Sequence, residues 1–326
     1  MKCRLIIFLF VLICGHIRAH ERDTVLTMFW NLENFFDHID QGTGESDREF
    51  SSMGSRHWTR YKFQTKCDNI AKGILWMKDR YGRVPDVIGF AEVENREVLV
   101  RLLSSTLLRK YDYQIVHQDS RDRRGIDVAI LYRRSSFSLV SRSSAVPVYE
   151  GKPLETRDIL QVCLQDVKGN HMHFIVNHHP SKYGGSKESD GRRMAAMAAL
   201  KHICDSLEAV SDAPVIAMGD FNDTPDSEPF RIIGSTLVNK GSELHKNGEG
   251  SIRYEGKWDL IDMFLVSPEA DSFTEMEVCR IPFLMTWEKK HPGEKPLRTY
   301  SGPRYIGGVS DHCPVILWYF DDNSYL

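Results

Sequence analysis

The chain has 326 residues, 41% hydrophobic and 27% charged, with a net charge of −3. This is the composition of a soluble globular protein, and its mild acidity argues against a broad nucleic-acid-coating surface, so any polyanion site must be local. Lys2 and Arg4 precede the apolar run Leu5 to Cys14, and Ile17-Arg18-Ala19 precedes His20. That layout predicts a secretory signal over residues 1–20. Its apolar core is too short for a membrane span, so no stable membrane insertion is expected. Bulky Ile13 stands before Cys14 where a lipoprotein signal has a small residue, which argues against a lipid anchor. A secreted or periplasmic protein follows. Loss of Lys2, Arg4 and Arg18 leaves 39 bases against 45 acids, a balance of −6. Five scattered cysteines remain, which suggests neither a disulfide framework nor a thiolate metal site, although one bridge stays open. Residues 21–326 show no linker, repeat or low-complexity tract and read as a single domain.

Thr24 to Trp30 reads as a first strand, followed by Asn31 and Glu33, two apart and on one face. Asp40 to Ser55 is polar and Gly-containing, a mobile surface loop. Phe63, Cys67, Ile70, Ile74 and Met77 recur at helical spacing and predict an amphipathic helix over Arg60 to Tyr81. Val84 to Ala91 is a second buried strand, ending at Glu92 and Glu94; two acids there repel each other unless a cation or donor is present. Glu92 reads as functional, and Glu94 as a cap of the helix from Arg96 or a supporting group. Tyr113 to His117 and Asp127 to Tyr132 are the next strands. The loop between them concentrates Arg121, Arg123 and Arg124, either a solvated run or a contact for a phosphate backbone.

Asp158 to Asp166 follows as a strand, with Arg157 just ahead of it. The apolar strand His173 to Asn177 runs into His178, His179 and Lys182. Neighbouring histidines point opposite ways on a strand, so His178 is taken as functional and His179 as structural. A helix spans Gly191 to Val210. Val215-Ile216-Ala217-Met218 is a buried strand ending at Gly219-Asp220-Phe221-Asn222, and alternation sets Asp220 and Asn222 on one face. Such a pair can hold a proton, a phosphate oxygen or a hard metal ion; it can also be plain turn chemistry. Phe230 to Leu237 reads as helix, Leu237 to Gly256 as polar loop, and Trp258 to Val266 as a strand. Asp262, between Ile261 and Met263, should be buried and therefore partnered, a histidine being the usual partner. Glu288 to Pro303 is another polar loop. Asp311 and His312 stand just before the last apolar strand, Val315 to Tyr319, which sets a metal ligand beside a general base.

These strand ends, in this order, resemble the endonuclease/exonuclease/phosphatase superfamily of pancreatic-type deoxyribonucleases and exonuclease III. Trp30-Asn31-Leu32-Glu33, Phe90-Ala91-Glu92, Asn177-His178, Gly219-Asp220-Phe221-Asn222, Ile261-Asp262 and Ser310-Asp311-His312 carry the likeness. Ala91 departs from it, standing where glutamine is frequent. Trp30 to Asp37 and Asn177 to Lys182 are similar to a branch of bacterial secreted proteins.

The resemblance implies an α/β fold, a four-layer α-β-β-α sandwich of two mixed β-sheets with flanking helices. It implies metal-assisted hydrolysis of a phosphoester by in-line attack of water. Glu92 would bind Mg²⁺ (Mn²⁺ or Ca²⁺ as alternatives), with Asn31, Glu33 and Asp311 completing or supporting the site. His312 would polarise or deprotonate the water, oriented by Asp262, and Asp220 would share the base role. Asn222 and His178 would donate to phosphate oxygens, with Asp127 orienting His178. Arg121, Arg123, Arg124, Arg157 and Lys182 would contact substrate, expected to be nucleic acid, DNA favoured. A lipid headgroup or small phosphoester is the alternative, with Phe35, Phe36, Phe283, Leu284 and Trp287 as its apolar rim. A non-catalytic binding module is disfavoured by the presence of both His178 and His312. No protein partner is implied.

Overall fold

A computed structural model of the protein describes residues 24–42, 44–182 and 186–320. The expected secretory signal over residues 1–20 lies outside the described residues. Among these residues the main strands are β1 (Thr24–Phe35), β2 (Val87–Val93), β3 (Tyr113–His117), β4 (Asp127–Arg133), β5 (Phe137–Ala145) and β6 (Ile159–Asp166). They continue with β7 (His171–His178), β8 (Val215–Asp220), β9 (Val238–Asn239), β10 (Asp262–Val266), β11 (Thr274–Val278) and β12 (Val315–Phe320). Two six-stranded sheets result, in the orders β11-β12-β1-β2-β4-β3 and β9-β10-β8-β7-β6-β5. Each is mixed, parallel at β1/β2 and at β7/β8 and antiparallel elsewhere.

Period-2 alternation explains how four layers arise. Phe29, Ile130, Val176, Met218 and Phe264 face inward and form the core between the sheets. Their neighbours Met28, Trp30, Ile88 and Phe90 turn to the outer face of the first sheet. There Phe63, Ile70, Ile74 and Met77 of helix α1 (Arg60–Tyr81) and Val98, Leu99 and Leu102 of α2 (Arg96–Ser105) cover them. Ile175, Ala217 and Leu265 face outward on the second sheet, under Met197, Leu200 and Cys204 of α3 (Ser186–Glu208). The expected four-layer α-β-β-α sandwich is the observed one. No helix of the described residues is long and apolar enough to cross a membrane. Cys67, Cys163, Cys204, Cys279 and Cys313 are buried and unpaired.

Helix α1 has the predicted boundaries, with Thr59 accepting from Lys62 N and Gly82 closing it at φ 80. Other segments differ from expectation. Turns over residues 46–56 close on Phe50, which stacks on Phe36 at 5.2 Å and meets Trp58 edge-on, so this is a packed segment and not a bare loop. Asn95, not Glu94, caps α2; Glu94 accepts from Asp37 N instead. The helix after β8 is one turn, Phe230–Ile233, ended at Gly234 with φ 54. Residues 237–256 are not a loop throughout: they contain β9, a helical turn at Ser242–Lys246 and a strand at Ile252–Tyr254. The expected strand Trp258 to Val266 is broken at Leu260 and Ile261, because Ile261 N and Asp262 N turn to Ser251 Oγ. Residues 285–296 form a hairpin, Met285–Glu288 with Gly293–Pro296. These short pieces carry too few residues to show a period, and only their pairing defines them.

Gly219 shows how tightly β8 and β7 meet: a Cβ there would stand 2.4 Å from the Asn177 carbonyl oxygen. Neither strand can yield without disturbing its sheet. Gly219→Ala is expected to lower stability by about 1–3 kcal/mol. A urea denaturation curve checks this; a midpoint equal to that of the wild type contradicts the packing.

Candidate active site

β1, β2, β7 and β8 end at the edge where β10 and β12 begin, since β10 and β12 run antiparallel to β8 and β1. The polar strand ends therefore converge although they are spread over most of the chain. Asn31 Nδ2 donates to Asp220 Oδ2 at 3.0 Å, linking the two sheets across 189 positions of sequence.

Asp262 is fully buried, and its Oδ2 lies 2.7 Å from His312 Nδ1. Ser251 Oγ donates to the same oxygen at 2.5 Å. The His312 backbone is fixed as well. Its N–H donates to Ser310 Oγ, whose own proton goes to the Asn31 carbonyl, and its carbonyl accepts from the Trp30 indole. Burial opposes charge on the imidazole, but Asp262, with Asp220 and Asp311 behind it, outweighs burial and holds His312 well above its ordinary range. Its Nε2 faces Asp220 Oδ2 at 4.0 Å and Asp311 Oδ1 at 3.8 Å.

Asp220 accepts Asn222 N–H on Oδ1, and His178 Nε2 is 3.6 Å from Oδ2. Burial and then the Asp262 charge push its carboxyl up to about 7. Burial, then Arg157 and Arg124, hold His178 well below the ordinary histidine range, so it stands as a neutral ring. The 3.6 Å contact between them is thus better read as a polar contact than as an ion pair. His179 points to the other side and meets Phe221 edge-on at 5.0 Å, as strand alternation requires. Asn222 departs from expectation. β8 stops at Asp220, Asn222 takes φ 53, and its amide donates to the His179 carbonyl, so alternation does not govern its direction.

Glu92 also has a left-handed backbone, φ 60, in the bulge between β2 and β4. Its Oε2 accepts Asn34 N–H at 2.7 Å, and Arg124 approaches both oxygens at 3.3 and 3.5 Å. Burial raises a carboxylate, but Arg124 and the Asn34 N–H prevail and hold Glu92 low. Both Glu33 oxygens are engaged, Oε1 by Arg298 at 2.8 Å and Oε2 by Thr299 N–H at 3.0 Å, while Lys66 donates to its carbonyl. Arg298 also reaches Asp311 at 3.1 Å. Burial and the Asp311 charge push Glu33 up to about 7.

These residues fit a hard divalent cation. Five carboxylates, Glu33, Glu92, Asp220, Asp262 and Asp311, face only three permanent cations, Lys66, Arg124 and Arg298. Glu92 Oε1 and Asp311 Oδ1 carry only long contacts and are open, and Asn31 Oδ1 adds a carbonyl oxygen. Glu33 is already saturated and supports the others. Asp220, Asp262 and His312 also lie within metal-cluster distance of one another, but Asp262 is committed to His312 and Ser251, which makes that group a hydrogen-bonded relay.

The substrate-contacting cations are placed differently from expectation. Arg157 is buried on Asp122 and the His179 carbonyl; Arg123 pairs with Glu45 and Lys182 with Asp223. Arg124 alone of this set reaches the acidic centre, and Arg121 is exposed on the loop. Asp127 pairs with His117 at 3.2 Å and does not orient His178, because β4 starts beside the end of β3. Phe35, Phe36 and Leu284 are core residues, which removes most of the apolar rim, while Trp287 is exposed. Sequence reasoning missed Ser251, Lys66 and Arg298. The first lay in an assumed loop, the second on a helix read only for its apolar stripe, and the third in a polar run without a motif.

No significantly similar protein is found among curated sequences. Among solved structures, the chain resembles the human Nocturnin catalytic domain with bound sulfate anion, at 16% identity and a TM-score of 0.57, covering 92% of this chain and 96% of that one. It resembles the mannosyl-6-phosphatase Bt3783 of Bacteroides thetaiotaomicron at 15% identity and 0.56, covering 90% and 98%. TDP2 from C. elegans matches at 14% identity and 0.57, covering 92% and 76%. At these identities the likeness shows the fold alone. The Endonuclease/Exonuclease/phosphatase family model matches residues 26–320. The chain belongs to the endonuclease/exonuclease/phosphatase family of hydrolases acting on phosphoesters.

Proposed function

We propose that the protein is an exported, divalent-metal-dependent enzyme that hydrolyses phosphodiester bonds of nucleic acid, with Mg²⁺ as the metal. The single observation that carries the chemistry is the Asp262–His312 pair, buried, 2.7 Å apart, and facing Asp220. Asp262 keeps the ring oriented and charged, so Nε2 can donate to a phosphoryl oxygen. Asp220, with a carboxyl near neutrality, is suited to take the proton of the attacking water. His178, a neutral ring, and Asn31 position and solvate the Asp220 carboxylate. Glu92, Asp311 and Asn31 would hold the metal, which when bound neutralises charge developing on the phosphoryl group and the leaving oxygen.

The second reading, a small phosphoester substrate, rests on a specific observation. Arg123, Arg157 and Lys182 are each already paired with an acid, so they do not form a free cationic track for a long backbone. The mannosyl-6-phosphatase of the same fold, named for a sugar-phosphate substrate, supports this second reading.

His312→Ala is expected to abolish nearly all turnover with the circular dichroism spectrum unchanged; near-normal turnover sinks the assignment. Asp262→Asn keeps the shape but loses the charge, and kcat should fall by roughly 10²–10⁴, as in other oriented histidine sites. EDTA should remove activity and Mg²⁺ or Mn²⁺ restore it. Metal-dependent nicking of supercoiled plasmid, absent in His312→Ala, supports the nuclease. Hydrolysis of bis-p-nitrophenyl phosphate or sugar phosphates without nicking keeps the chemistry and moves the substrate to RNA or small phosphoesters. N-terminal sequencing of the exported chain checks cleavage near residue 20.

A further inference from the structure

A second group of ligating side chains lies beside the end of β2, where β4 begins at Asp127 opposite Val93 and β3, one strand further out, ends at His117. His117 Nε2 stands 3.2 Å from Asp127 Oδ2, and Nδ1 stands 3.9 Å from Asp119 Oδ1 on the connecting loop. The His117 and Asp127 side chains are 3% and 6% exposed, while Asp119 is 87% exposed and gives the group an open side. One ligand atom from each of the three lies within 4.8 Å of the other two.

The bland account is a buried hydrogen-bonded His–Asp pair. Against it, buried His117 Nε2 makes no aligned hydrogen bond to the Asp127 oxygen 3.2 Å away. The contact is close but not aligned. Two atoms bound to one first-row dication at about 2.0–2.2 Å stand roughly 3 Å apart without pointing at each other. Asp158 adds a second unpartnered oxygen. It is buried, its Oδ1 has no hydrogen bond, and its Oδ2 is held by Ser144.

We propose that His117 through Nε2, Asp127, and exposed Asp119 turned in from beside Nδ1 bind one transition-metal dication, Zn²⁺ by the match of imidazole with carboxylates, at a site distinct from the catalytic one. Its consequence is structural. Asp127 Oδ1 also accepts Ser120 N–H, so a cation on Asp127 braces the loop that sets Arg124 on Glu92 and Asp122 on Arg157. The site belongs to the loop base, and zinc binding is its readout, so it stands or falls independently of which phosphoester is cut.

The test is calorimetric titration of Zn²⁺ into the full chain without a polyhistidine tag, in the Glu92→Gln background to weaken metal binding at the catalytic centre. One equivalent is expected to bind, to be lost in Glu92→Gln/His117→Ala, and to bind roughly tenfold or more weakly in Glu92→Gln/Asp119→Asn. Asp119 is exposed, so its variant decides the matter even where His117→Ala fails to fold. Unchanged stoichiometry and affinity in Asp119→Asn overturn the proposal, as does the absence of any zinc binding in the Glu92→Gln chain.

Discussion

Asp262 has no solvent contact, and a charge so placed is costly unless a partner and hydrogen bonds answer it. His312 and Ser251 provide that answer from opposite ends of the local chain order, 50 and 11 positions away. The same interaction settles three features at once: the break before β10, the approach of residues 310–313 to β1, and the direction of the His312 Nε2. Ser251 gives its proton to Asp262 while receiving two backbone N–H groups, so the loop before β10 is shaped around the carboxylate. The chemistry proposed for the site depends on this contact more than on any other.

Around that pair, the backbone is held in uncommon conformations. Glu33, Asn34, Glu92 and Asn222 all have φ between 47 and 60, the left-handed region that side-chain-bearing residues seldom adopt. Such positions persist where surrounding contacts over-determine them. Here the contacts are visible: Lys66 and Thr299 on Glu33, Arg124 bridging Asn34 and Glu92, and the His179 carbonyl on Asn222. The buried Lys66, held by the Glu33 carbonyl and Thr299 Oγ1, joins helix α1 to the site from behind. A helix with the look of simple packing thereby supports the acidic centre.

Charge is handled locally. The protein is acidic overall, yet the site gathers Arg124, Arg298 and Lys66 against a larger number of carboxylates. Arg298 spans Glu33 and Asp311 and so keeps two acids close that would otherwise repel each other. Arg124 offsets the Glu92 charge and ties it to Asn34. Of the other arginines of the β3–β4 loop, Arg123 pairs with Glu45 and Arg121 is exposed, which restricts the cationic surface left for an extended polyanion.

Much of the fold was legible without the structure. The α1 boundaries followed from apolar spacing, and the strand ends from apolar runs stopping at polar residues, because periodicity and punctuation are local properties. The need of Asp262 for a histidine could be read from its apolar neighbours alone. Other features could not. The strands inside residues 237–256 are two or three residues long and exist only through pairing. Asp127 found His117 because β3 and β4 are neighbours, and Arg123, Arg157 and Lys182 found acids that no spacing connects to them. The sequence by itself determined the long apolar strands and the polar residues that end them, since each depends on nearby residues. Which of those groups meet, as Asn31 meets Asp220 and Glu33 meets Arg298, was decided only by the packing of two sheets, since those partners stand 189 and 265 positions apart.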